Sequence, residues 1–183
     1  MTKKILPILI LLVSYGIAND FNDLKTMFLK KQYSKVCSKS VALYSQYRHD
    51  SNFLNIFAVS CLNSDMINKL MVPIIKLYKT KADRENAAYY TTILYKKKLL
   101  YYALIDHIDI SYVRLPKTNY ILSNVFDKYI QKKYQFKDNA YWFDNNQDTT
   151  LKYQLSIEEA HHVKKMYLRT YKDGILIKTR TYW

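Results

Sequence analysis

The stretch that decides the fold runs from residue 31 to residue 77 and reads KQYSKVCSKSVALYSQYRHDSNFLNIFAVSCLNSDMINKLMVPIIKL. Apolar residues recur in it at intervals of three and four, which places them on one face of a helix. One such stripe covers residues 33–44 and the next covers residues 54–62, with a polar segment between them. The stretch therefore predicts two helices joined by a turn. The only two cysteines of the chain, Cys37 and Cys61, lie one on each stripe.

Helical spacing continues on both sides of these two stripes. Residues 19–30 predict a helix before them, and residues 67–77 predict a helix after them. Pro73 is expected to kink or restart that later helix, because proline donates no backbone hydrogen bond. Asp50 or Ser51 is expected to cap the helix that follows the polar segment.

The first eighteen residues have the layout of a secretory signal. Lys3 and Lys4 give a positive start, residues 5–13 form an apolar core, and residues 16–18 form a small-x-small cleavage site. We therefore expect export to a periplasm or beyond, with a mature chain that begins at Asn19. The alternative is an uncleaved membrane anchor, although this apolar core is shorter than the roughly 20 residues that a span requires.

Net charge and glycine content indicate which ligands are favoured and which classes of enzyme are excluded. Loss of Lys3 and Lys4 takes the count of Lys and Arg from 29 to 27 against 15 Asp and Glu, so the net charge falls from +14 to +12. In an exported protein this surplus favours anionic envelope polymers or lipids over nucleic acid. An AT-rich genome, which supplies many lysine codons, would explain the same composition. Only Gly16 and Gly174 occur, which excludes glycine-rich nucleotide loops and Gly-x-Ser-x-Gly hydrolases.

A period of 34 residues runs through the helical part. Tyr33, Ile67 and Tyr101 recur at this interval, and neighbouring apolar positions keep step with them. The period and the helix-turn-helix pattern resemble tetratricopeptide repeats. Residues 31–36, Lys-Gln-Tyr-Ser-Lys-Val, resemble the turn and second-helix start of such a repeat, although the turn glycines and the closing proline of the family are missing.

The resemblance covers about residues 19–115 and implies a stack of three helical hairpins. In this family such stacks bind peptides or protein partners, and they are rarely catalytic. Each hairpin buries one face on its neighbour and leaves the other face free to vary. A helical bundle without true repeats would show the same recurrence by chance.

In such a stack, Cys37 and Cys61 would lie on two helices that pack antiparallel. Two cysteines on buried stripes of an exported chain favour a structural disulfide. It would close a loop of 24 residues, for which loop entropy predicts a stabilisation of roughly 3 kcal/mol. The alternatives are two free buried thiols and a redox pair, for which the chain lacks a C-x-x-C motif.

A segment rich in tyrosine and lysine follows the second predicted hairpin. Lys96, Lys97 and Lys98 stand among several tyrosines, which include Tyr95 and Tyr101. Aromatic rings beside cations can stack on a ligand and hold its anionic groups, so these five residues are candidates for anion or partner binding. The alternative is a repeat turn with solvated lysines, in which the tyrosines fill grooves between helices.

The composition changes after residue 134, where alternating apolar residues predict strands. Residues 166–172 and 175–183 flank Asp173-Gly174, a strong signal for a tight β-hairpin. Residues 141–143 and 151–155 predict two more strands around a polar turn. We expect a small antiparallel sheet of three or four strands and a fold of the α+β class. The predicted segments are a signal peptide at 1–18, a helical repeat domain at 19–134 and a small β domain at 135–183.

The predicted hairpin also carries a group of cations. Arg169, Lys178 and Arg180 are candidates for anion or partner binding, together with the lysines of the tyrosine-rich segment. They add to the positive charge that favours an anionic partner.

A short helix is expected between two of the predicted strands. The Ser-x-x-Glu spacing that starts at Ser156 is typical of a capping box, and it predicts a helix over residues 157–164. Glu158, His161 and His162 would lie on it as weak metal candidates, because Glu-x-x-His spacing resembles half of a di-metal carboxylate site. The other half is not found on the other predicted helices. The alternative is a solvated helix without a metal.

Three functions remain. The leading hypothesis is a non-enzymatic exported module that binds or scaffolds another envelope protein through its helical repeats. The second is a binder of an anionic envelope polymer or lipid through the basic, tyrosine-rich residues. A metal-dependent enzyme is the third. The sequence predicts no cofactor and, after signal cleavage, no transmembrane span.

Overall fold

The computed structural model describes residues 20–183, so the predicted signal peptide lies outside the described residues. Helices come first and an antiparallel sheet of five strands comes last, which confirms the predicted α+β class. The helices are α1 (20–29), α2 (Tyr33–Tyr47), α3 (Ser51–Asn63), α4 (Met71–Ile74), α5 (Lys81–Asp106) and α6 (Ile121–Ile130). The strands are β1 (Gln135–Lys137), β2 (Ala140–Asp144), β3 (Leu151–Ala160), β4 (Val163–Lys172) and β5 (Ile175–Tyr182).

The chain divides into two compact units between Tyr90 and Thr91. The described part of the first, residues 20–90, is called the helical unit here, and residues 91–183 are called the sheet unit. The predicted boundary after residue 134 coincides with the start of the first strand. The sheet unit begins earlier, because it also contains the later part of α5 and all of α6.

The helical unit is held by the disulfide that the sequence predicts. Cys37 on α2 and Cys61 on α3 are bonded, and both side chains are fully buried. Asp50 caps α3, as expected, by accepting hydrogen bonds from the backbone N–H groups of Asn52 and Phe53 at 2.8 and 3.1 Å. The cross-link and the cap fix where α3 begins and against which helix it packs.

The third hairpin that the repeat resemblance implies is replaced by one continuous helix. α5 spans 26 residues and runs through the position where a turn was expected. The helix contains no glycine or proline, so nothing in its sequence interrupts it, and the turn glycine of the family is missing. The fourth predicted helix is also shorter than expected, because a 3-10 turn at Ile67–Leu70 leads into α4, which ends one residue after Pro73.

A buried carboxylate fixes the start of α5, and the sequence reasoning missed it. Thr80 Oγ1 accepts from the Asp83 backbone N–H at 3.0 Å, and the Asp83 carboxylate accepts from the Thr80 N–H at 3.1 Å. Ser51 and Asn55 of α3 each donate to the same carboxylate at 2.9 Å. Burial raises the pKa of Asp83, but the hydrogen bonds outweigh it and the pKa is lowered overall. The signal was a Thr-x-x-Asp capping pattern at residues 80–83.

The sheet is a simple meander in the order β1-β2-β3-β4-β5. Cross-strand partners such as Phe143 with Tyr153 and Leu155 with Leu168 place the large buried side chains on one face, called the core face here. α6 contacts this face through the rings of Tyr129 and Tyr141, whose centroids are 5.2 Å apart. The sheet unit therefore has a helix-on-sheet core, and its sheet has five strands where three or four were expected.

The predicted helix over residues 157–164 is wrong, because β3 and β4 run through it as a hairpin. Cross-strand pairs such as Glu158 with Lys165 and Glu159 with Lys164 replace the helical capping box. All three two-residue turns of the sheet have a positive φ at both central residues, as a type I′ turn requires. These turns are Asp138-Asn139, His161-His162 and Asp173-Gly174.

Three helices end in the same left-handed turn without glycine. After α1, α3 and α6, N–H groups donate to carbonyls three and five residues back, as in a Schellman motif. The residues in the left-handed conformation are Lys31, Asp65 and Lys132, with φ of 56°, 59° and 56°. Across residues 20–183, nine residues other than glycine have a positive φ, and each costs about 1 kcal/mol relative to the right-handed conformation.

Candidate functional site

Two of the three lysines predicted to bind an anion lie inside the protein. Lys96 is 0% exposed and Lys97 is 1% exposed. The Lys96 ammonium donates to the Asp127 carboxylate at 2.6 Å and to Ser123 Oγ at 2.7 Å, both on α6. Lys96 is therefore not available to a ligand from solution, and it instead forms a buried ion pair.

Lys97 and the tyrosines around it also serve the sheet unit. Lys97 donates to the backbone carbonyl of Trp183 at 2.6 Å, and burial lowers the pKa of Lys97 to about 8. Tyr101 donates to the backbone carbonyl of Lys164 at 2.7 Å. Lys98 and Tyr95 are exposed. The segment thus ties α5 to the sheet, and only Lys98 keeps the solvent-facing charge that was predicted.

The predicted cations of the last hairpin do not share a face. Arg169 is opposite Thr179, whereas Lys178 and Arg180 are opposite Thr170 and Leu168 on the core face. Alternation along a strand sends neighbouring side chains to opposite faces. Arg169 instead pairs with Glu158 through two hydrogen bonds of 2.5 and 2.9 Å.

The weak metal candidates belong to the β3–β4 hairpin, which places Glu158 on a strand and the two histidines in the turn. Glu158 is bound to Arg169, and this hydrogen bond, more than any other cause, lowers the pKa of Glu158. His161 and His162 form the turn between β3 and β4. Histidine is one of the residues enriched at positive φ, so the turn gives them a structural role. Among residues 20–183, no group of three or more His, Cys, Asp or Glu is placed to hold a metal ion.

The sheet unit instead has a polar groove beside the C-terminal end of α6. Its larger part has a volume of about 480 Å³. Lysines and carboxamides dominate the lining, and they come from four separate segments of the chain. The lining residues are Lys117, Asn124, Asp127, Lys128, Gln131, Lys133, Asn145, Asn146, Gln147 and Tyr153.

A second depression of about 320 Å³ continues this groove. The two share Lys128, Lys133 and Asn146, so we treat them as one site, called the lysine groove here. The second part adds Lys132, Tyr134, Gln135, Trp142 and Asp144. The whole groove therefore contains four lysines, two carboxylates, six carboxamides and three aromatic rings.

Both carboxylates in the lysine groove are paired with a lysine outside its lining. Asp127 is held by the buried Lys96, and Asp144 lies 3.2 Å from the ammonium of Lys152. These two ion pairs offset the negative charge of the carboxylates, in full for the part-buried Asp127 and more weakly for the exposed Asp144. The four lining lysines are left as the dominant charge, and carboxamides can bind either the hydroxyls or the oxygens of a ligand.

Hydrogen bonds hold the wall of the groove in place. Lys128 donates to the backbone carbonyl of Asp144 and, at 3.1 Å, to Asn146 Oδ1. Asn145 accepts from the Gln147 N–H at 2.9 Å and donates to the Tyr153 hydroxyl at 2.8 Å. Burial is the largest influence on Lys128 and lowers its pKa, although Asp144 acts in the opposite direction. The lining is therefore ordered before a ligand binds, which lowers the entropic cost of binding.

The side chains that line the lysine groove are of kinds that bind ligands. Ammonium groups and carboxamides hold anionic and hydroxyl-rich ligands. The two groove carboxylates, one at 20% side-chain exposure and the other at 71%, are committed to ion pairs. The remaining ammonium and carboxamide groups therefore suit an anionic or hydroxyl-rich ligand.

The chain matches no protein-family model, no curated protein and no solved structure in the three comparisons that were made. Within residues 20–183, none of the helices combines the length and the apolar character that crossing a membrane requires. The Cys37–Cys61 disulfide is compatible with an exported protein.

Proposed function

We propose that the protein is a non-enzymatic, exported binding module that holds an anionic envelope polymer in the lysine groove. The observation that carries the proposal is the lining itself. Four lysines surround two carboxylates whose charges are compensated from outside the groove. The net charge, +14 for the full chain and +12 without Lys3 and Lys4 of the predicted signal peptide, adds a long-range attraction for polyanions.

The size and polarity of the groove support a polymer segment as the ligand. Two adjoining depressions of about 480 and 320 Å³ form an extended site. Tyr134 and Trp142 line the second depression beside the cations and are half-buried, and the parts of such rings that reach solvent can contact the apolar faces of sugars.

Titration calorimetry with two soluble polyanions, polygalacturonate and dextran sulfate, tests the proposal. Replacement of Lys132 and Lys133 by Gln is expected to weaken binding by about tenfold, which corresponds to roughly 1.4 kcal/mol. The salt dependence of the affinity should become shallower in this variant, since fewer ion contacts remain to be screened.

The matched control replaces two exposed lysines of the originally predicted set, Lys98 and Lys178, by Gln. It removes the same charge from elsewhere on the chain and is expected to leave most of the affinity. Equal losses in the two variants would assign the binding to general charge and contradict the role of the groove.

A second candidate function, binding of a partner protein, is favoured by an apolar stripe on the helical unit. Met71 on α4, and Ile75 and Tyr78 in the segment that follows it, are between 54% and 73% exposed. Contiguous exposed apolar residues mark interaction surfaces. Co-purification of a defined protein at high salt, and its loss in a Met71→Ser, Ile75→Ser variant, would support this candidate.

A further inference from the structure

The tip of the β4–β5 hairpin exposes three consecutive large aliphatic side chains. Ile175, Leu176 and Ile177 are 69%, 48% and 56% exposed. They follow directly after the Asp173-Gly174 turn, at the start of the edge strand β5. Single exposed apolar residues are ordinary, whereas a contiguous set marks a surface that is covered in use.

The backbone explains why all three side chains reach solvent. In a regular strand, Leu176 would face the side opposite to Ile175 and Ile177. The pairing of β4 with β5 is shifted between Thr170 and Tyr171, so that Ile177 has no residue opposite to it. Such a bulge bends the edge and re-aims side chains. The bulge also discourages the addition of a further strand, so the apolar tip is better suited to insertion than to strand pairing.

The charge around the tip indicates what it inserts into. The exposed cations of this end of the hairpin are Lys172 and Lys178, and Asp173 in the turn is its one acidic residue. Lys172 and Lys178 flank the apolar residues on the two strands and are exposed. A second copy of this chain would bring like charges together, which disfavours self-association through this surface.

We propose that this hairpin tip is a membrane-contact element that inserts Ile175, Leu176 and Ile177 into the interface of an anionic lipid bilayer. Apolar side chains enter the boundary between headgroups and acyl chains, and the neighbouring lysines remain at the level of the anionic headgroups. The two interactions act together, because neither three side chains nor a few charges give firm attachment by themselves. This role is separate from ligand binding in the lysine groove.

Sedimentation with lipid vesicles tests the proposal on the full chain. Binding is compared for vesicles of phosphatidylglycerol mixed with phosphatidylcholine and for vesicles of phosphatidylcholine alone. The Ile175→Ser, Ile177→Ser variant is expected to lose at least about tenfold in partitioning to the anionic vesicles. Every variant carries the same N-terminal residues, so their contribution cancels in the ratio.

Two control variants separate the hairpin from other surfaces. Met71→Ser with Ile75→Ser removes the same number of exposed apolar side chains from the helical unit and is expected to bind vesicles as the parent does. Lys132→Gln with Lys133→Gln tests the lysine groove and should affect polymer binding more than vesicle binding. Unchanged partitioning of the hairpin variant, or equal partitioning of the parent to both vesicle types, would overturn the proposal.

Discussion

The helical unit and the sheet unit each bury a charged side chain, but they stabilise it differently. In the helical unit, Asp83 is 2% exposed and receives hydrogen bonds from neutral donors at the start of a helix. In the sheet unit, Lys96 is paired with a carboxylate that lines the lysine groove. The first arrangement serves only the fold. The second connects the core to the candidate site, so a change in it should alter both stability and binding.

The largest effect is expected from breaking the ion pair of the sheet unit. Lys96→Met leaves Asp127 without its buried partner and should lower the free energy of unfolding by about 3–5 kcal/mol. Urea denaturation followed by tryptophan fluorescence measures this, because Trp142 and Trp183 both lie in the sheet unit. The exposed Lys98→Met is the matched control and should change little.

A double variant shows whether the loss of stability comes from the unpaired charge of Asp127. Lys96→Met combined with Asp127→Leu removes both charges and should recover part of the lost stability, since a buried pair replaced by apolar residues is often tolerated. If the double variant were no more stable than Lys96→Met alone, the loss would come from packing and not from an unpaired charge.

The next effect is expected from opening the disulfide of the helical unit. Replacement of Cys37 and Cys61 by Ala should lower the free energy of unfolding by about 3 kcal/mol, because the unfolded chain is no longer constrained across 24 residues. Urea denaturation followed by the helical signal in circular dichroism measures this loss of stability. The parent protein should shift with reductant and the variant should not, and a parent that ignores reductant would contradict this role.

A smaller effect is expected at Asp83, with a characteristic pH dependence. Asp83→Asn keeps the shape but replaces an acceptor by a donor that faces other donors, which should cost about 2 kcal/mol. Because the folded pKa of Asp83 is lowered, its contribution is fully present above the unfolded pKa of about 4. It is lost as the pH falls through the folded pKa. Denaturation curves at several acidic pH values should therefore converge for the parent and the variant.

The smallest effect, and the only gain, is expected at a left-handed turn. Lys31→Gly should stabilise the helical unit by up to about 1 kcal/mol, because glycine adopts a positive φ without steric cost. Lys35→Gly, inside α2, is the matched control and should destabilise by about the same amount. Thermal melts of the two variants measure the difference, and a loss at Lys31 would mean that its side chain contributes a contact of its own.

Sequence periodicity predicted the parts of the fold that local signals determine. Helices α1 to α3, the strands around Asp173-Gly174 and the disulfide follow from spacing, capping residues and turn chemistry. A 34-residue recurrence of apolar positions does not reveal whether a turn lies between them, so it did not predict that α5 would be continuous over Lys81–Asp106. The absence of glycine and proline around Lys96–Lys98 indicated a continuous helix more reliably than the recurrence did.

The candidate site could not be predicted for a different reason. The groove assembles Lys117, the end of α6, the loop after β2 and Tyr153, which are separated in sequence. The run Lys96–Lys98 looked like the better candidate in the sequence, because the neighbouring residues do not show whether a lysine is buried or exposed. The distinction depends on Asp127, 31 residues away from Lys96.

The residues in the left-handed conformation are also positions at which substitution by glycine can stabilise the fold. Among residues 20–183, nine residues other than glycine hold a backbone conformation in which glycine would be less strained. Lys31 and Asp65 belong to the helical unit, whereas the residues of the lysine groove and of the hairpin tip belong to the sheet unit. Such substitutions by glycine would stabilise the protein. They could therefore offset a destabilising mutation in either binding surface without any change to the core.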